Sequence, residues 1–588
     1  MVNLKLNHMN KICFSFLALL FVTGCQQTPE VRETVLEELW KFSTGNDLQW
    51  ALPDYDDSQW PSISSSDSWE NQGYQNYDGY AWYRMTFTLP EDIRKAVAHY
   101  GGLMIRYDNA DDSDALYFNG QIVGSTGSFP PDYVSRYGEK RTYSVPLEYI
   151  RTDAPNTIAI QVYDGGGDGG LLTSQVVIQP IAPALNVTMD YTVDAPDGVF
   201  MGDGPRTLTV TVKNNEEKTK KTVIHLTVTT DDFDPVAESS HPSRIRAGAA
   251  VSHILSADLP EPGFYRCTLR LETDGVKGEP VSFNIGYEPE KIVSPADAQE
   301  DFDAFWDETR SQLDRVPMRA SMKLLKEYST GARNIYYVEM KSFGDQIMGG
   351  YYAAPKKKGT YPVIVTYMGY GSNAWMPHTD GEPGFISFIV SVRGQGIYKP
   401  GNKYDNKWIV SGLEDKDTYY YRGAFMDLVR AIDFVCSRPE ADTARIAAEG
   451  GSQGGAFTMA ACALDDRIAV AAPTIPFLSD YRDYFRIVDW PRSDIDAYMR
   501  EHPQAQWEDI YRVLSYFDIK NLAPRIKTPT IMGVGLQDET CPPHTNFAGY
   551  NLIGAPKDYR IYQHNGHNTP AEWQDVRMDF FKKHLNLE

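Results

Sequence analysis

The chain has 588 residues, of which 42% are hydrophobic, 23% charged and 12% aromatic, and its formal net charge is −23. The length exceeds what one hydrophobic core serves, and the composition excludes a fibrous repeat or a wholly disordered chain. The acidic balance excludes a nucleic-acid binder, which needs concentrated basic surface to displace counterions, and equally a basic patch for anionic lipid.

Lys5 and Lys11 precede an apolar run, Ile12–Val22, that is too short to span a bilayer and suits the core of a signal segment over residues 1–24. The run ends Leu20-Phe21-Val22-Thr23-Gly24-Cys25. This resembles the bacterial lipobox, which implies that Cys25 is acylated and becomes the first residue. A plain signal peptide with an incidental cysteine is the alternative. Residues 25–35 then form a polar tether, and the expected location is that of an exported, membrane-anchored lipoprotein at the periplasmic face or cell surface. Cys13 leaves with the signal. Cys267, Cys436, Cys462 and Cys541 remain, without the spacing of a zinc site, so no metal is expected.

Residues 36–182 read as all-β. Ala81–Thr88, Gly102–Tyr107 and Thr157–Tyr163 are aromatic and β-branched runs between turn signals. Asn119-Gly120, between Ala115–Phe118 and Gln121–Val123, suits a two-residue type I′ hairpin, in which both central residues need positive φ. Gly79–Arg84, the Asp111–Gly120 hairpin and Asn156–Ile160 resemble the galactose-binding-like jelly roll attached to bacterial glycosidases and sialate esterases. Such a domain binds sugar or braces its neighbour. Asp164-Gly165-Gly166-Gly167-Asp168-Gly169-Gly170 reads as a flexible turn, with a ligand or calcium loop as the alternative. Trp40, Trp50, Trp60 and Trp69 read as core or rim packing, with a sugar-stacking platform as the rival.

Residues 183–288 again alternate with period two, as in Val187–Val193, Thr207–Val212, Val223–Val228 and Tyr265–Leu271. Some seven short strands point to an immunoglobulin-like sandwich with no chemistry of its own, a spacer. From 289 to 588 strands and helices alternate. The strand candidates are Asn334–Met340, Ile347–Ala353, Tyr361–Tyr367, Phe385–Val392, Ile446–Glu449, Val470–Pro473, Thr530–Val534 and Tyr559–Tyr562. Helices are expected at Asp301–Leu313 and near 417–437, 455–464 and 570–585. Continuous apolar strands between helices predict a mostly parallel, covered sheet. The fold class is thus multidomain: two all-β domains, then an α/β-hydrolase domain.

Gly450-Gly451-Ser452-Gln453-Gly454 lies between a strand and a helix, the context of a nucleophile elbow, where small neighbours let strand and helix approach. A serine hydroxyl needs a base, and the base an orienting carboxylate, in the chain order Ser, Asp or Glu, His. Asp538 follows the strand Thr530–Val534, and His567 follows the last strand. Both therefore fall at the C-terminal edge, where ligands collect in such sheets. Glu539 rivals Asp538, and His564 and His544 rival His567.

Phe302-Asp303-Ala304-Phe305-Trp306, Arg393-Gly394-Gln395-Gly396, Gly450–Gly455, Pro476-Phe477-Leu478-Ser479, Asp538 and Gly566-His567 together resemble the acetyl xylan esterase and cephalosporin C deacetylase family of α/β-hydrolases. The resemblance spans residues 296–588. It implies a Ser452–His567–Asp538 triad and an oxyanion hole from the main-chain N–H groups of Tyr370 and Gln453. Arg393, Gly394 and Gln395 are the most family-specific block and are expected to be structural, near the site. Met368-Gly369-Tyr370 stands where the family has His-Gly-Tyr, and Gly566-His567-Asn568 where it has Gly-His-Glu, which bears on substrate preference. The family forms ring-like oligomers, an assembly that two extra β-domains would hinder.

The expected function is cofactor-free removal of acetyl groups from an acetylated oligo- or polysaccharide. The alternatives are a serine peptidase or other acyl hydrolase on the same fold, and a non-catalytic glycan-binding lipoprotein.

Overall fold

The computed structural model describes residues 32–587 except 76, 168, 174, 182–186 and 378–383. The signal segment, Cys25, most of the tether and Asp168 lie outside the described residues. The chain divides into two compact units, one up to Pro183 and one from Ala184.

The first unit is a β-sandwich. One sheet has six strands in the order Ser62–Ser64, Leu39–Thr44, Gly79–Phe87, Asn156–Asp164, Ser113–Phe118 and Gln121–Thr126. The other has four, Thr34–Val35, Val176–Pro180, Gly102–Tyr107 and Arg141–Pro146. Alternation along these strands turns Trp40, Phe42, Tyr83, Ile105, Leu116 and Ile160 into a common core. The Asn119-Gly120 hairpin has the expected positive φ at both residues, 49° and 84°. Trp40 and Trp69 are fully buried, and Trp50 packs edge-on against Trp60 at 5.1 Å and Trp82 at 6.2 Å, so these rings serve packing. A helix at Glu91–Tyr100 interrupts the expected all-β pattern, with Ile93, Ala96 and Val97 facing inward at helical spacing. Inside the sandwich Arg141 bonds Asp114 at 2.7 Å with both side chains fully buried, and Tyr107 and Tyr143 donate to the same carboxylate.

The second unit contains the other two domains. Its β-sandwich pairs a three-stranded sheet (Val187–Val193, Thr207–Asn214, Ala250–Ser256) with a five-stranded one (Val199–Phe200, Val276–Tyr287, Gly263–Thr273, Lys220–Thr230, Pro235–Ile245). The α/β domain is a nine-stranded sheet: β1 Ser321–Leu324, β2 Arg333–Lys341, β3 Ile347–Pro355, β4 Tyr361–Tyr367, β5 Ile386–Ser391, β6 Ala441–Gly451, β7 Val470–Thr474, β8 Thr530–Gly535 and β9 Lys557–Tyr562. The spatial order is β1-β2-β3-β5-β4-β6-β7-β8-β9. It is antiparallel through β3–β5 and parallel from β5 to β9. Parallel strands need crossover helices, and these cover both faces.

Helix α1, Phe302–Asp314, buries Phe302, Phe305, Trp306, Thr309 and Leu313, a stripe at intervals of three and four. Helix α2, Tyr420–Cys436, is buried over 15 of its 17 residues, as a helix between sheet and α1 must be. Helix α3, Gln453–Leu464, starts at the turn after β6 and is buried almost throughout. Short helices at Tyr481–Ile487, Arg492–Glu501 and Trp507–Leu514, outside the expected set, fill the connection from β7 to β8.

The sandwich does more than space. His544, one of the rival histidines, stands 3.0 Å from Asp231 of the sandwich and 3.7 Å from Asp483 of the α/β domain. Burial alone would push its imidazole down. The two carboxylates, with Asp480 behind them, override burial and raise it to about 10. The pair therefore stabilises the fold fully below the ordinary histidine value near 6.5, and that contribution is lost as pH rises through about 10. Replacing His544 by Ala breaks a part-buried, charge-assisted pair and is expected to cost about 1.5–3 kcal/mol near neutral pH. Urea unfolding of the full chain at a series of pH values should show the gap between wild type and H544A shrinking towards pH 10. A constant gap would contradict the assignment.

Candidate active site

Strand β6 passes into α3 through Ser452, whose backbone sits at φ 58°, ψ −122°. A serine in that region stores about 1–3 kcal/mol of strain, which the surroundings must hold. They hold it with three main-chain hydrogen bonds. Ser452 N–H donates to Thr474 at 3.0 Å, and its carbonyl accepts from Ala456 and Phe477, both at 3.1 Å. The glycines are sterically required. A Cβ on Gly454 would lie 2.1 Å from the Tyr367 carbonyl oxygen, and one on Gly450 would lie 2.5 Å from it. The helix therefore rests directly on the sheet backbone and lifts a part-exposed Ser452 above the end of β6.

Asp538 follows β8 and is buried. Its Oδ1 accepts from the N–H groups of Thr540 and Cys541, each at 2.8 Å. His567 Nδ1 meets Oδ2 at 2.9 Å and Oδ1 at 3.1 Å, so this carboxylate and this imidazole are hydrogen-bonded. Ser452 Oγ reaches the same loop by another route, lying 3.9 Å from Cys541 Sγ. Among the described residues no hydrogen bond joins it to His567. The Cys541 thiol is pushed well above its usual range, first by burial and then by the Asp538 charge, so it stands beside the serine as a neutral group. The rivals fall elsewhere. Glu539 is exposed and faces Arg266 at 3.7 Å. His564 is exposed. His544 is the ion-paired residue described above.

Tyr370 and Gln453 bring their main-chain N–H groups to the same end of the sheet, after β4 and at the first turn of α3. Among the described residues neither N–H has a protein acceptor. The Met368–Tyr370 loop abuts the serine: a Cβ on Gly369 would lie 4.0 Å from Ser452 Cβ. Met368 turns into the core, its sulfur 3.5 Å from Ser391 Oγ, so this departure from the family pattern presents no side chain to a substrate.

The Arg393-Gly394-Gln395 block ties these parts together. Arg393 forms a buried fork on Asp427 of α2, with Nη2–Oδ1 at 2.7 Å and Nε–Oδ2 at 2.8 Å. Gly394 has φ 71°, and a Cβ there would strike Tyr404. Gln395 exchanges hydrogen bonds with the Gln453 side chain at 3.2 and 3.0 Å and accepts from Gly371 N–H at 3.1 Å. One buried amide thus fixes the loop bearing one N–H relative to the helix end bearing the other.

The sandwich grips the acid loop from outside. Asn284 N–H donates to Gln537 Oε1 at 2.7 Å, Gln537 Nε2 donates to the Asn284 carbonyl at 3.1 Å, and Asn284 Nδ2 donates to the Leu536 carbonyl at 3.1 Å. Phe477 stacks on Trp490 at 5.3 Å, and Trp490 meets Tyr370 at 5.1 Å, forming an aromatic wall beside the serine. Trp490 and Cys541 lie outside every motif in the sequence, and no spacing signals them.

The fold and this arrangement define an α/β-hydrolase. A model of the acetyl xylan esterase family matches residues 288–585. A second, of the β-galactosidase second all-β domain, matches residues 45–168. The acetyl esterase Axe7A of Xylanibacter ruminicola is 30% identical over 367 residues, 59% of this chain and 80% of that protein. An acetyl xylan esterase from Paenibacillus sp. R4 is 35% identical over 50% of this chain and 98% of its own, with a TM-score of 0.48. Acetyl xylan esterase 1 from Thermoanaerobacterium sp. JW/SL YS485 is 29% identical over 51% and 98%, with a TM-score of 0.46. The chain belongs to the acetyl xylan esterase family and is a carboxylic ester hydrolase of the carbohydrate acetylesterase kind.

Replacing Gln395 by Ala is expected to lower kcat by roughly 10–100-fold, with KM changed far less, because it loosens the Tyr370 loop against the first turn of α3. Steady-state hydrolysis of an acetyl ester, with circular dichroism to confirm folding, checks this. An unchanged kcat would contradict the role.

Proposed function

We propose that Ser452 attacks the acetyl carbonyl of an acetylated oligo- or polysaccharide, with His567 as general base and then acid, and Asp538 as its orienter. The Asp538–His567 hydrogen bond, on the loop that reaches Ser452 through Cys541, is the observation that carries this reading. The serine hydroxyl turns about Cα–Cβ from Cys541 towards the free ring nitrogen of His567. Such bonds commonly tighten only when substrate binds. His567 takes the hydroxyl proton as the C–O bond forms, and Asp538 stabilises the resulting imidazolium. The negative charge on the former carbonyl oxygen meets the N–H groups of Tyr370 and Gln453, each worth about 3–4 kcal/mol in the transition state. The sugar hydroxyl leaves with the proton from His567. Water, deprotonated by the same histidine, then releases acetate from Ser452.

The acetyl ester and the carbohydrate rest on the family and on the acetyl esterase relative. The part-exposed rings of Trp490 and Tyr370, backed by buried Phe477, add a surface of the kind on which the apolar face of a pyranose packs. Acetate release from acetylated xylo-oligosaccharides, followed by the loss of acetyl mass, is expected for the wild type. It should be abolished in Ser452→Ala and reduced about 10⁴-fold in Asp538→Asn. Wild-type rates in S452A would end this reading, and peptide cleavage in place of acetate release would move it to a peptidase.

The N-terminal pattern supports a membrane anchor. In this reading Cys25 carries the lipid, and the enzyme works at the periplasmic face or cell surface. Cells expressing the full chain should incorporate radiolabelled palmitate into it and hold it in the membrane fraction, and Cys25→Ala should lose both. Membrane retention of C25A with no label in the wild type would refute the anchor.

A further inference from the structure

The glycine-rich loop after Asp164 in the first unit takes no part in ester cleavage, yet it closes over a concentration of negative charge. One carboxylate oxygen each from Asp111, Asp112 and Asp164 lies within 4.8 Å of the other two. Asp111 and Asp112 enter the strand Ser113–Phe118, and Asp164 ends the neighbouring strand Asn156–Asp164. Asp112 is well supplied with donors: Gly165 N–H at 2.8 Å, Ser135 Oγ at 2.5 Å and the Tyr133 hydroxyl. Asp164 is not. Its Oδ1 accepts from Gly166 N–H at 2.6 Å, but its Oδ2 is fully buried and has no hydrogen-bond partner among the described residues. A buried carboxylate oxygen in that position costs free energy until a cation, a water or a proton meets it.

No protein cation does so. Among the described residues no lysine or arginine pairs with any of the three. Arg141 is committed to Asp114 and reaches this region only at the main-chain carbonyls of Ala110, at 2.8 Å, and Asp112, at 3.5 Å. A second comparable cluster among the described residues, Asp480–Asp483–His544, behaves differently, since Lys520 lies 2.8 Å from Asp480 and the raised His544 supplies a second positive charge.

We propose that Asp111, Asp112 and Asp164 bind a calcium ion that clips the glycine-rich loop to the start of the neighbouring strand. Two oxygens on one calcium, each at about 2.3–2.6 Å, stand up to about 5 Å apart, which the observed spacing satisfies. The donors are all hard oxygens, and the glycines allow main-chain carbonyls and water to complete a shell of about six to eight. Magnesium, which demands a tighter octahedron at about 2.0–2.1 Å, suits this spread less well.

Terbium titration of the full chain tests the site, because Tyr133 bonds one of the ligands and can sensitise terbium emission. We expect saturable emission that calcium displaces and an equal concentration of magnesium does not. It should fall at least tenfold in Asp164→Asn and in Asp111→Asn. The wild-type melting transition should rise by several degrees in calcium over EDTA, with no such rise in D164N, while the acetylesterase rate of D164N stays at the wild-type level and shows that the chain is folded. Emission that survives in both variants, displacement by magnesium as readily as by calcium, or identical melting of wild type in calcium and EDTA would overturn the proposal.

Discussion

The contact on which the rest of the catalytic domain depends is the direct seat of α3 on the sheet backbone. The Tyr367 carbonyl occupies space that any side chain at position 450 or 454 would need, and Thr474 does the same at Gly455. That seat sets the height of Ser452 over β6 and forces its left-handed backbone. It also brings the first turn of α3 against the loop after β4, so the helix's unpaired N–H at Gln453 and the loop's at Tyr370 open onto one place. Strain at the serine and the exposure of two unpaired donors beside it thus come from one steric fact.

Two layers of polar contacts keep this arrangement in register. Inside, Arg393 anchors on Asp427, and Gln395 bridges the two donors. Both are buried, so each unmade bond would leave a desolvated group, and the geometry is correspondingly sharp. Outside, the sandwich strand Val276–Tyr287 offers its Asn284 main chain to Gln537, as an edge strand would to a neighbour. The loop of Asp538, the carboxylate bonded to His567, is therefore held by its own contacts on one side and by a separate domain on the other.

Much of this was legible in the chain. Strand–helix alternation gave the sheet, and the positions of Ser452, Asp538 and His567 after β6, β8 and β9 follow from the order of elements. His544 precedes the last strand, whereas His564 and His567 both follow it, and His567 is favoured because it follows Gly566 on the loop just before the last helix. What pattern could not show is contact between remote segments. The task of Gln395 depends on where Gln453 points. Cys541 meets the serine across 89 residues. The sandwich read as a spacer because period-two alternation reports which face is buried and is silent on what the strand's exposed edge touches. The short helices between β7 and β8 carry Trp490 to the site, and their short amphipathic stretches lack the length that makes a helix obvious.

The neutral thiol packed beside the nucleophile has a bearing on where such an enzyme can work. Cys541 is sealed from solvent, and burial first and the Asp538 charge second keep its thiol protonated, so oxidants that attack thiolates find little to react with. Any adduct that did form on its sulfur would fill the few ångströms through which the serine hydroxyl must swing. Burial and the neighbouring Asp538 charge together leave little thiolate beside Ser452 for an oxidant to attack.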